Sequence, residues 1–183
     1  MTDLEHPCQA LADFLTIQEN FGVLQGKTLS YVGDGNNVAH SLMICGALLG
    51  VNLRIGCPKG FEPLPEILEK STSLSFSGAK IEVTNDPFEA VIGAHAIYTD
   101  VWTSMGQEEE QSSRKEVFKD FCLDKKLLSV ASSDAIVLHC LPAHRGEEIT
   151  AEVIESDASR IFDQAENRLH AQQALLVALL GGL

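Results

Sequence analysis

The sequence has no apolar run that approaches the roughly 20 residues required for a membrane-spanning helix. Its first residues, Met-Thr-Asp-Leu-Glu-His, also lack the charged and then apolar layout of a signal peptide. These absences argue against a membrane protein and against a secreted one. We therefore predict a cytoplasmic chain, or an organellar one if the source is eukaryotic, with no membrane partner.

Five cysteines are present, an odd number, with no C-x-x-C pair and no histidine at zinc-ligand spacing. Neither a disulfide framework nor a metal site is expected. Basic residues are scarce as well, because 13 Lys and Arg stand against 26 Asp and Glu, for a net charge of −13. Such a charge repels a phosphate backbone, so no nucleic acid partner is expected.

Short β-branched runs alternate with longer stretches of helical period, which is typical of α/β proteins. The length of 183 residues favours one domain. We predict an open parallel β-sheet of about five strands with helices on both faces, a Rossmann-like single domain. The predicted strands are residues 28–33, 52–56, 80–84, 96–99 and 134–139, with 160–163 as a candidate for a short sixth. The predicted helices are residues 7–20, 37–49, 65–73, 87–92, 107–122, 147–155 and 164–180.

Polar residues cluster at the ends of the predicted strands. The binding crevice of an open parallel sheet lies at the carboxyl ends of its strands, so these residues predict a site. They are Asp34, Asn36 and Asn37 after the first strand, Asp100 after the fourth, Cys140 after the fifth, and Glu166 and Arg168 after the sixth.

The segment Gly33-Asp-Gly-Asn-Asn-Val38 partly matches the G-x-G-x-x-G turn of dinucleotide-binding proteins. Val38 replaces the third glycine, and the second strand ends at Gly56-Cys57-Pro58 without an acid for a ribose hydroxyl. A nicotinamide-cofactor site is therefore a minor alternative. The turn otherwise presents Asn37 at a helix start, where capping and ligand binding are both open explanations.

Asp100-Val-Trp-Thr-Ser-Met-Gly106 places a carboxylate, the single Trp and a polar loop directly after a strand. The acid suits an ammonium group, while Ser104 and backbone groups suit a carboxylate, so a zwitterionic amino acid fits this segment. Cys140 ends the fifth strand before a Leu-Pro bond, although most such cysteines are buried and inert. His6, Gln9 and Arg168 lie near helix starts, and singly each would be an ordinary surface residue. An arginine suits a carbonyl oxygen or an oxyanion.

Seven segments together resemble the ornithine carbamoyltransferase family, in that family's order and from about residue 2 to residue 180. They are HPCQALADFLTIQE, YVGDGNNVAHSLM, CPKGFEP, NDPFEAV, TDVWTSMGQEEE, HCLPAHRGEEIT and FDQAENRLHAQQALL. The Ser-Met-Gly loop separates this family from aspartate carbamoyltransferases, whereas HPCQ and HCLP are more widely shared. The resemblance implies transfer of a carbamoyl group from carbamoyl phosphate to L-ornithine, giving citrulline and phosphate in arginine biosynthesis, without a cofactor.

The resemblance also implies a role for each matching residue. Asn37, Asp100, Ser104 and Met105 would hold the α-amino and α-carboxylate groups of ornithine, and Cys140 would lie by the attacking amine. His6 and Gln9 would contact the carbamoyl group, the Leu141 carbonyl would accept from its amide, and Arg168 would polarise its carbonyl oxygen. Cys140, Arg168 and His6 are thus the candidate catalytic residues, and the Leu141-Pro142 bond is expected to be cis.

The resemblance further implies a preceding domain with a Ser-Thr-Arg-Thr phosphate-binding segment and most of the contacts of a catalytic trimer. Here only Ser71-Thr-Ser73 is present. We therefore expect residues 1–183 to be the ornithine-binding domain, with the carbamoyl-phosphate-binding domain absent and no turnover by the chain alone. Carbamoyl phosphate would be shared with that domain, and the full-length enzyme would be a homotrimer. A non-catalytic ornithine-binding or interaction domain is the main alternative, ahead of an NAD-binding domain.

Overall fold

Five parallel strands form the centre of the molecule, and helices lie on both faces of the sheet. The structure is a computed structural model that describes residues 2–75, 77–103 and 111–181. The predicted parallel α/β architecture is confirmed. In chain order the elements are α1 (Pro7–Phe21), β1 (Thr28–Val32), α2 (Asn37–Leu49), β2 (Asn52–Gly56), α3 (Pro65–Leu74), β3 (Ile81–Thr84), α4 (Pro87–Val91), β4 (Ala96–Thr99), α5 (Gln111–Phe118) with a 3-10 turn (Lys119–Phe121), α6 (Lys125–Leu128), β5 (Ile136–His139), α7 (Ala151–Ile154) and α8 (Ile161–Leu179).

The strand order across the sheet is β3-β2-β1-β4-β5, and every neighbouring pair is parallel. The chain builds outward from β1 to β3 on one side and then crosses back to add β4 and β5 on the other. Val32 lies beside Thr99 in the register of β1 with β4, so both strands end at the same level. Ligands of open α/β sheets bind in the crevice at such a reversal. In this fold that crevice lies between the ends of β1 and β4.

Apolar side chains cover both faces of the sheet, and β1 and β4 are buried along their whole length. Parallel strands buried on both faces have nearly continuous apolar sequences, which accounts for the short β-branched runs. None of the described helices combines the length and apolarity needed to cross a bilayer. One face of the core contains Phe14, Ile17, Leu29, Tyr31, Leu42 and Tyr98, and the other contains Val32, Ile97, Leu127, Val137, Val153 and Ile161.

The predicted sixth strand, residues 160–163, is wrong. Ser159 forms an isolated bridge with Val137, and the N–H of Arg160 donates to the carbonyl oxygen of Val137 at 2.9 Å. Helix α8 then begins at Ile161, because Ile161 and Gln164 are buried one turn apart on the same side of that helix. The contact with β5 is thus a single bridge, and α8 starts earlier than predicted.

The predicted helix over residues 147–155 is also too long, since only Ala151–Ile154 is helical. The N–H of Leu123 donates to the carbonyl of Glu148 at 2.8 Å, and the N–H of Thr150 donates to the carbonyl of Leu123 at 3.1 Å. These backbone groups are engaged in a bridge to a distant segment, which keeps residues 148–150 extended. The predicted helix over residues 107–122 is described from Gln111 onward, and α6 was not predicted.

Candidate active site

Three side chains meet where β1, β4 and β5 end, and we call Asn36, Asp100 and Cys140 the strand-end cluster. Asn36 Nδ2 donates to Asp100 Oδ2 at 2.9 Å, and Cys140 Sγ donates to Asp100 Oδ1 at 2.9 Å. The N–H of Val101 donates to the same Oδ1 at 2.8 Å. The parallel register produces this meeting, because each residue follows a strand that is paired with the next. Asp100 is thus a buried acceptor at the crevice.

The two asparagines of the turn after β1 differ in their partners. Asn36 caps α2, since its Oδ1 accepts from the N–H of Val38 at 2.9 Å while its Nδ2 donates to Asp100. Asn37, which the sequence predicted to bind ligand, is half-buried, and its Nδ2 donates to the carbonyl of Thr2 at 2.7 Å. Asn37 therefore lies at the rim of the crevice and holds the N-terminal segment. Asn36 is the member of the pair that touches Asp100.

Gly35 allows the chain to pass close to the turn after β1. A Cβ at this position would lie 2.3 Å from the backbone nitrogen of Pro63, and the N–H of Gly35 donates to the carbonyl of Phe61 at 2.9 Å. In dinucleotide-binding folds the second glycine of this turn lets the backbone approach a pyrophosphate. Here the protein's own residues 61–63 occupy that approach, which argues against the NAD-binding alternative.

Cys140 is a hydrogen-bond donor in this site and not a thiolate. Burial, followed by the neighbouring Asp100 carboxylate, raises the pKa of the Cys140 thiol well above its ordinary value. The thiol is therefore protonated at neutral pH, in agreement with its donation to Asp100. A protonated thiol cannot remove a proton from an ammonium group.

Leu141 follows Cys140 and is held by a short chain of buried groups. Its backbone has a φ of 58°, the Leu141-Pro142 bond is cis as expected, and its N–H donates to His139 Nδ1 at 2.9 Å. Because Nδ1 accepts, the proton of this imidazole lies on Nε2, which faces Glu148 Oε1 at 3.1 Å. His139 and Glu148 are both fully buried. They fix the backbone that carries Leu141 at the edge of the crevice.

Helices α1 and α8 contribute a second polar group, and we call Gln9, Asp13, Gln164 and Arg168 the helix network. Asp13 Oδ1 accepts from Gln9 Nε2 at 2.7 Å and from Gln164 Nε2 at 2.6 Å. Arg168 donates through Nη1 to Gln9 Oε1, and Gln164 Oε1 accepts from the N–H of His139 at 2.8 Å. The network therefore joins the predicted carbamoyl-binding residues Gln9 and Arg168 to the end of β5.

His6 lies beside this network, directly before α1. Its N–H donates to Ser41 Oγ at 2.7 Å, which fixes its backbone to α2. Burial, followed by the positive charge of Arg168, lowers the pKa of His6 below its ordinary value. A neutral imidazole is therefore available at physiological pH. It can donate or accept one hydrogen bond beside a guanidinium.

Ser104 and Met105 lie outside the described residues, although residues 101–103, which follow Asp100, are described. Trp102 is buried, and its carbonyl accepts from Arg114 Nε. Arg114 also forms an ion pair with Asp34, and its guanidinium lies 4.8 Å from the centre of the Phe61 ring. This arginine therefore ties the loop after β4 to the turn after β1.

Several site residues were missed or misplaced from the sequence. Glu166 was placed at a strand end, but it lies on the exposed side of α8. The residues that support the site were given no role, although Asp13 and His139 lie within four residues of Gln9 and Cys140 and could have been noticed. The supporting residues are Asp13, Arg114, His139, Glu148 and Gln164.

One group of side chains has the composition of a metal site. Ligand atoms of His144, Glu147 and Glu148 lie within 4.8 Å of one another. However, Glu147 is paired with Lys115 at 2.7 Å, and Glu148 Oε1 faces His139. Each of the two carboxylates thus has a partner within the protein, and this group carries no metal assignment.

Comparison with known proteins gives a consistent result. The family described as "Aspartate/ornithine carbamoyltransferase, Asp/Orn binding domain" matches residues 25–179. An ornithine carbamoyltransferase of Parasynechococcus marenigrum is 71% identical over 183 residues, which is 100% of this chain and 58% of the relative. A Synechocystis ornithine carbamoyltransferase is 55% identical over 181 residues, 99% of this chain and 59% of the relative.

Solved structures agree with the sequence relatives. The crystal structure of ornithine carbamoyltransferase from Gloeobacter violaceus has a TM-score of 0.89 and 52% identity, covering 97% of this chain and 60% of that one. The enzyme from Pyrococcus furiosus has a TM-score of 0.94 and 50% identity, covering 99% of this chain and 58% of that one. The chain thus spans somewhat over half of the relatives it matches.

Proposed function

The chain belongs to the aspartate/ornithine carbamoyltransferase family, in the region of its Asp/Orn-binding domain, and from this premise we propose that it is the ornithine-binding part of an ornithine carbamoyltransferase. Its reaction would transfer the carbamoyl group of carbamoyl phosphate to the side-chain amine of L-ornithine, giving citrulline and phosphate. The observation that carries the proposal is the position of Asp100. This buried carboxylate lies at the crevice between the ends of β1 and β4, and hydrogen-bond donors hold both of its oxygens in place. Such an acid favours a substrate with an ammonium group.

Asp100 retains acceptor capacity for that ammonium group. Each carboxylate oxygen has two lone-pair positions, and among the described residues Oδ2 accepts one hydrogen bond, from Asn36. A second donor at Oδ2 would be charge-assisted, which strengthens it relative to a neutral hydrogen bond. Ser104 and Met105, which follow Asp100 in the sequence, are proposed to bind the rest of the amino-acid group together with Asn37.

The carbamoyl end of the reaction is assigned to Arg168, Gln9, His6 and the Leu141 carbonyl. A neutral amine attacks the carbamoyl carbon, the new C–N bond forms, the C–O bond to phosphate breaks, and the nitrogen loses a proton. The carbonyl oxygen becomes negative during attack, so a pre-aimed guanidinium lowers the barrier. Arg168 Nε is buried and has no hydrogen-bond partner among the described residues, so the guanidinium has donor capacity left for an oxygen.

Because its thiol is protonated, Cys140 has a binding role in this scheme. It donates to Asp100 and faces the crevice edge beside Leu141. We propose that Cys140 helps to orient the amine and that the proton leaves the nitrogen toward another acceptor. The homotrimer, the sharing of carbamoyl phosphate with a preceding domain and the cytoplasmic location stay predictions.

Isothermal calorimetry with L-ornithine, followed by a citrulline assay, tests the proposal. The chain should bind ornithine, and Asp100→Ala should weaken that binding by roughly 10- to 100-fold because a charge-assisted hydrogen bond is lost. L-norvaline, an ornithine analogue that lacks the terminal amine, is the control ligand for the contribution of that amine. Citrulline should form when the chain is combined with a separately expressed carbamoyl-phosphate-binding domain. Ornithine binding that Asp100→Ala leaves unchanged would show that the site is misplaced, whereas binding without citrulline would leave a non-catalytic ornithine-binding domain.

A further inference from the structure

The helix network is centred on a buried acid to which the proposed reaction assigns no part. Asp13 is fully buried, and its Oδ1 accepts from the side-chain amides of both Gln9 and Gln164. Those amides are bonded in turn to Arg168 and to the N–H of His139. Resting on the proposed function, we propose that Asp13 is a positioning residue that orients both amides and thereby aims Arg168 and the end of β5 at the transferred group.

The hydrogen-bond donors and acceptors of the network are matched in one order, which means one orientation for the side-chain amide of each glutamine. A guanidinium has only donors, and the backbone N–H of His139 can only donate. Gln9 and Gln164 must therefore turn their carbonyl oxygens toward these two ends, which directs both NH₂ groups inward. Two inward NH₂ groups require one acceptor between them, and Asp13 Oδ1 is that acceptor. An apolar side chain at residue 13 leaves both inward NH₂ groups buried without this acceptor, so neither amide is held in its orientation at the inner end.

The order matters because one end of the network is a proposed catalytic group. Gln9 accepts from Nη1 of Arg168, while Arg168 Nε has no hydrogen-bond partner among the described residues. The amide of Gln9 therefore fixes the direction of the guanidinium. If that amide rotates, its NH₂ meets the guanidinium, and two donors repel each other. A displacement of about 1 Å at a reacting group can reduce turnover by about 100-fold.

The order does not require a charge on Asp13. Burial raises the pKa of Asp13 to about 7, against the hydrogen bonds from Gln9 and Gln164, which lower it. A neutral carboxylic acid still has a carbonyl oxygen that accepts twice, and so does an asparagine of the same shape. Asp13→Asn should therefore keep both amides in place, whereas Asp13→Leu, which has a similar shape, should release them.

Kinetics of the intact protein that carries this chain test the proposal. For Asp13→Leu we expect kcat/KM for carbamoyl phosphate to fall by about 100-fold, and for Asp13→Asn a change of less than about fivefold. Thr16→Val is the matched control, because Thr16 is a buried polar residue between the same two helices whose hydrogen bonds go to Ala12 and Asn167 and not to the network. It should leave kcat/KM within about twofold of the wild-type value.

Side-chain amide resonances of Gln9 and Gln164 in the ¹⁵N-labelled chain provide a readout that does not depend on turnover. Asp13→Leu should move both resonances toward those of unbonded amides, and Asp13→Asn should leave them near their wild-type positions. If Asp13→Leu does not fold, Asp13→Ser, which leaves room for water, should show a smaller loss in the same direction.

The outcomes separate this proposal from the proposed function. A folded Asp13→Leu or Asp13→Ser variant with wild-type kcat/KM overturns the positioning role, and so do unshifted amide resonances. A loss in Asp13→Asn equal to that in Asp13→Leu overturns it as well, because charge and not orientation would then be required. If the wild-type protein makes no citrulline, the proposed function fails, and the amide resonances alone decide whether Asp13 orients the network.

Discussion

The strand-end cluster and the helix network lie on the same crevice but are built in different ways. The strand-end cluster consists of residues that follow neighbouring strands, so the register of the sheet alone brings them together. The helix network joins Asp13 to Gln164, which are 151 positions apart in sequence, through contacts between α1 and α8. The strand-end cluster therefore depends on the pairing of neighbouring strands. The helix network depends on the docking of two helices from opposite ends of the chain.

Burial also differs between the two regions. Asp13 and Gln164 are fully buried, so any group there that loses its partner is also cut off from water. Asn36 and Cys140 are half-buried at the crevice edge, although the Asp100 carboxylate that they contact is buried. Changes in the helix network should therefore alter stability as well as turnover. Changes in the strand-end cluster should mainly alter binding.

The largest expected effect is a pH dependence of stability that originates at Asp13. Its pKa is about 7 in the folded chain against 3.8 for the free side chain, because burial disfavours the charge. Between these values the unfolded state is ionised while the folded state is protonated, so stability falls as pH rises from about 4 to about 7. The expected loss is roughly 4 kcal/mol and is complete above pH 7.

Asp13→Asn isolates this effect, since an asparagine does not titrate. Urea unfolding of the two proteins between pH 4 and pH 8 should show the wild type losing stability relative to Asp13→Asn across that window. The neighbouring groups Cys45, Tyr98 and Cys140 have pKa values raised above the window and do not contribute. Stability curves that run parallel across this range would exclude a raised pKa for Asp13.

A smaller effect is expected for Gln164→Leu, which removes the link between α1 and β5. The N–H of His139 loses its acceptor and Asp13 loses one of its two donors, all in a region without access to water. We expect the free energy of unfolding to fall by about 2–3 kcal/mol. Gln173→Leu on the exposed part of the same helix is the control and should change it by less than about 0.5 kcal/mol. Equal effects of the two substitutions on urea unfolding would contradict a structural role for the link.

The same contrast explains what could be predicted from the sequence. The five strands and the placement of Asp100 and Cys140 at one edge follow from the alternation of strands and helices, since parallel strands direct their carboxyl ends to one side. The choice between Asn36 and Asn37 did not follow, because adjacent residues at a helix start point in different directions. Only the structure shows that Asn36 touches Asp100.

The end of the chain was harder to predict because contacts remote in sequence determine it. The sequence Arg160-Ile-Phe-Asp163 has a strand-like composition, but only one bridge to Val137 forms before α8 begins to pack on α1. Similarly, Leu123 holds Glu148 and Thr150 extended where helical period suggested a longer helix. Tertiary partners outweighed local propensity in both places.

The smallest effect is expected for Cys140→Ser in the strand-end cluster. A hydroxyl can donate to Asp100 Oδ1 as the thiol does, and the position is only half-buried, so no polar group is left without a partner. We expect the free energy of unfolding to change by less than about 1 kcal/mol and ornithine affinity by less than about threefold.

Cys140→Ala, which removes the donor, should weaken ornithine binding more than Cys140→Ser does, because Asp100 Oδ1 then keeps only the N–H of Val101. Urea unfolding and calorimetry measure the two quantities, and Cys45→Ser on α2 controls for loss of a thiol elsewhere in the fold. If Cys140→Ser destabilises the fold as much as Gln164→Leu does, the pairing of neighbouring strands is not sufficient to hold the strand-end cluster, and the contrast between the two regions fails.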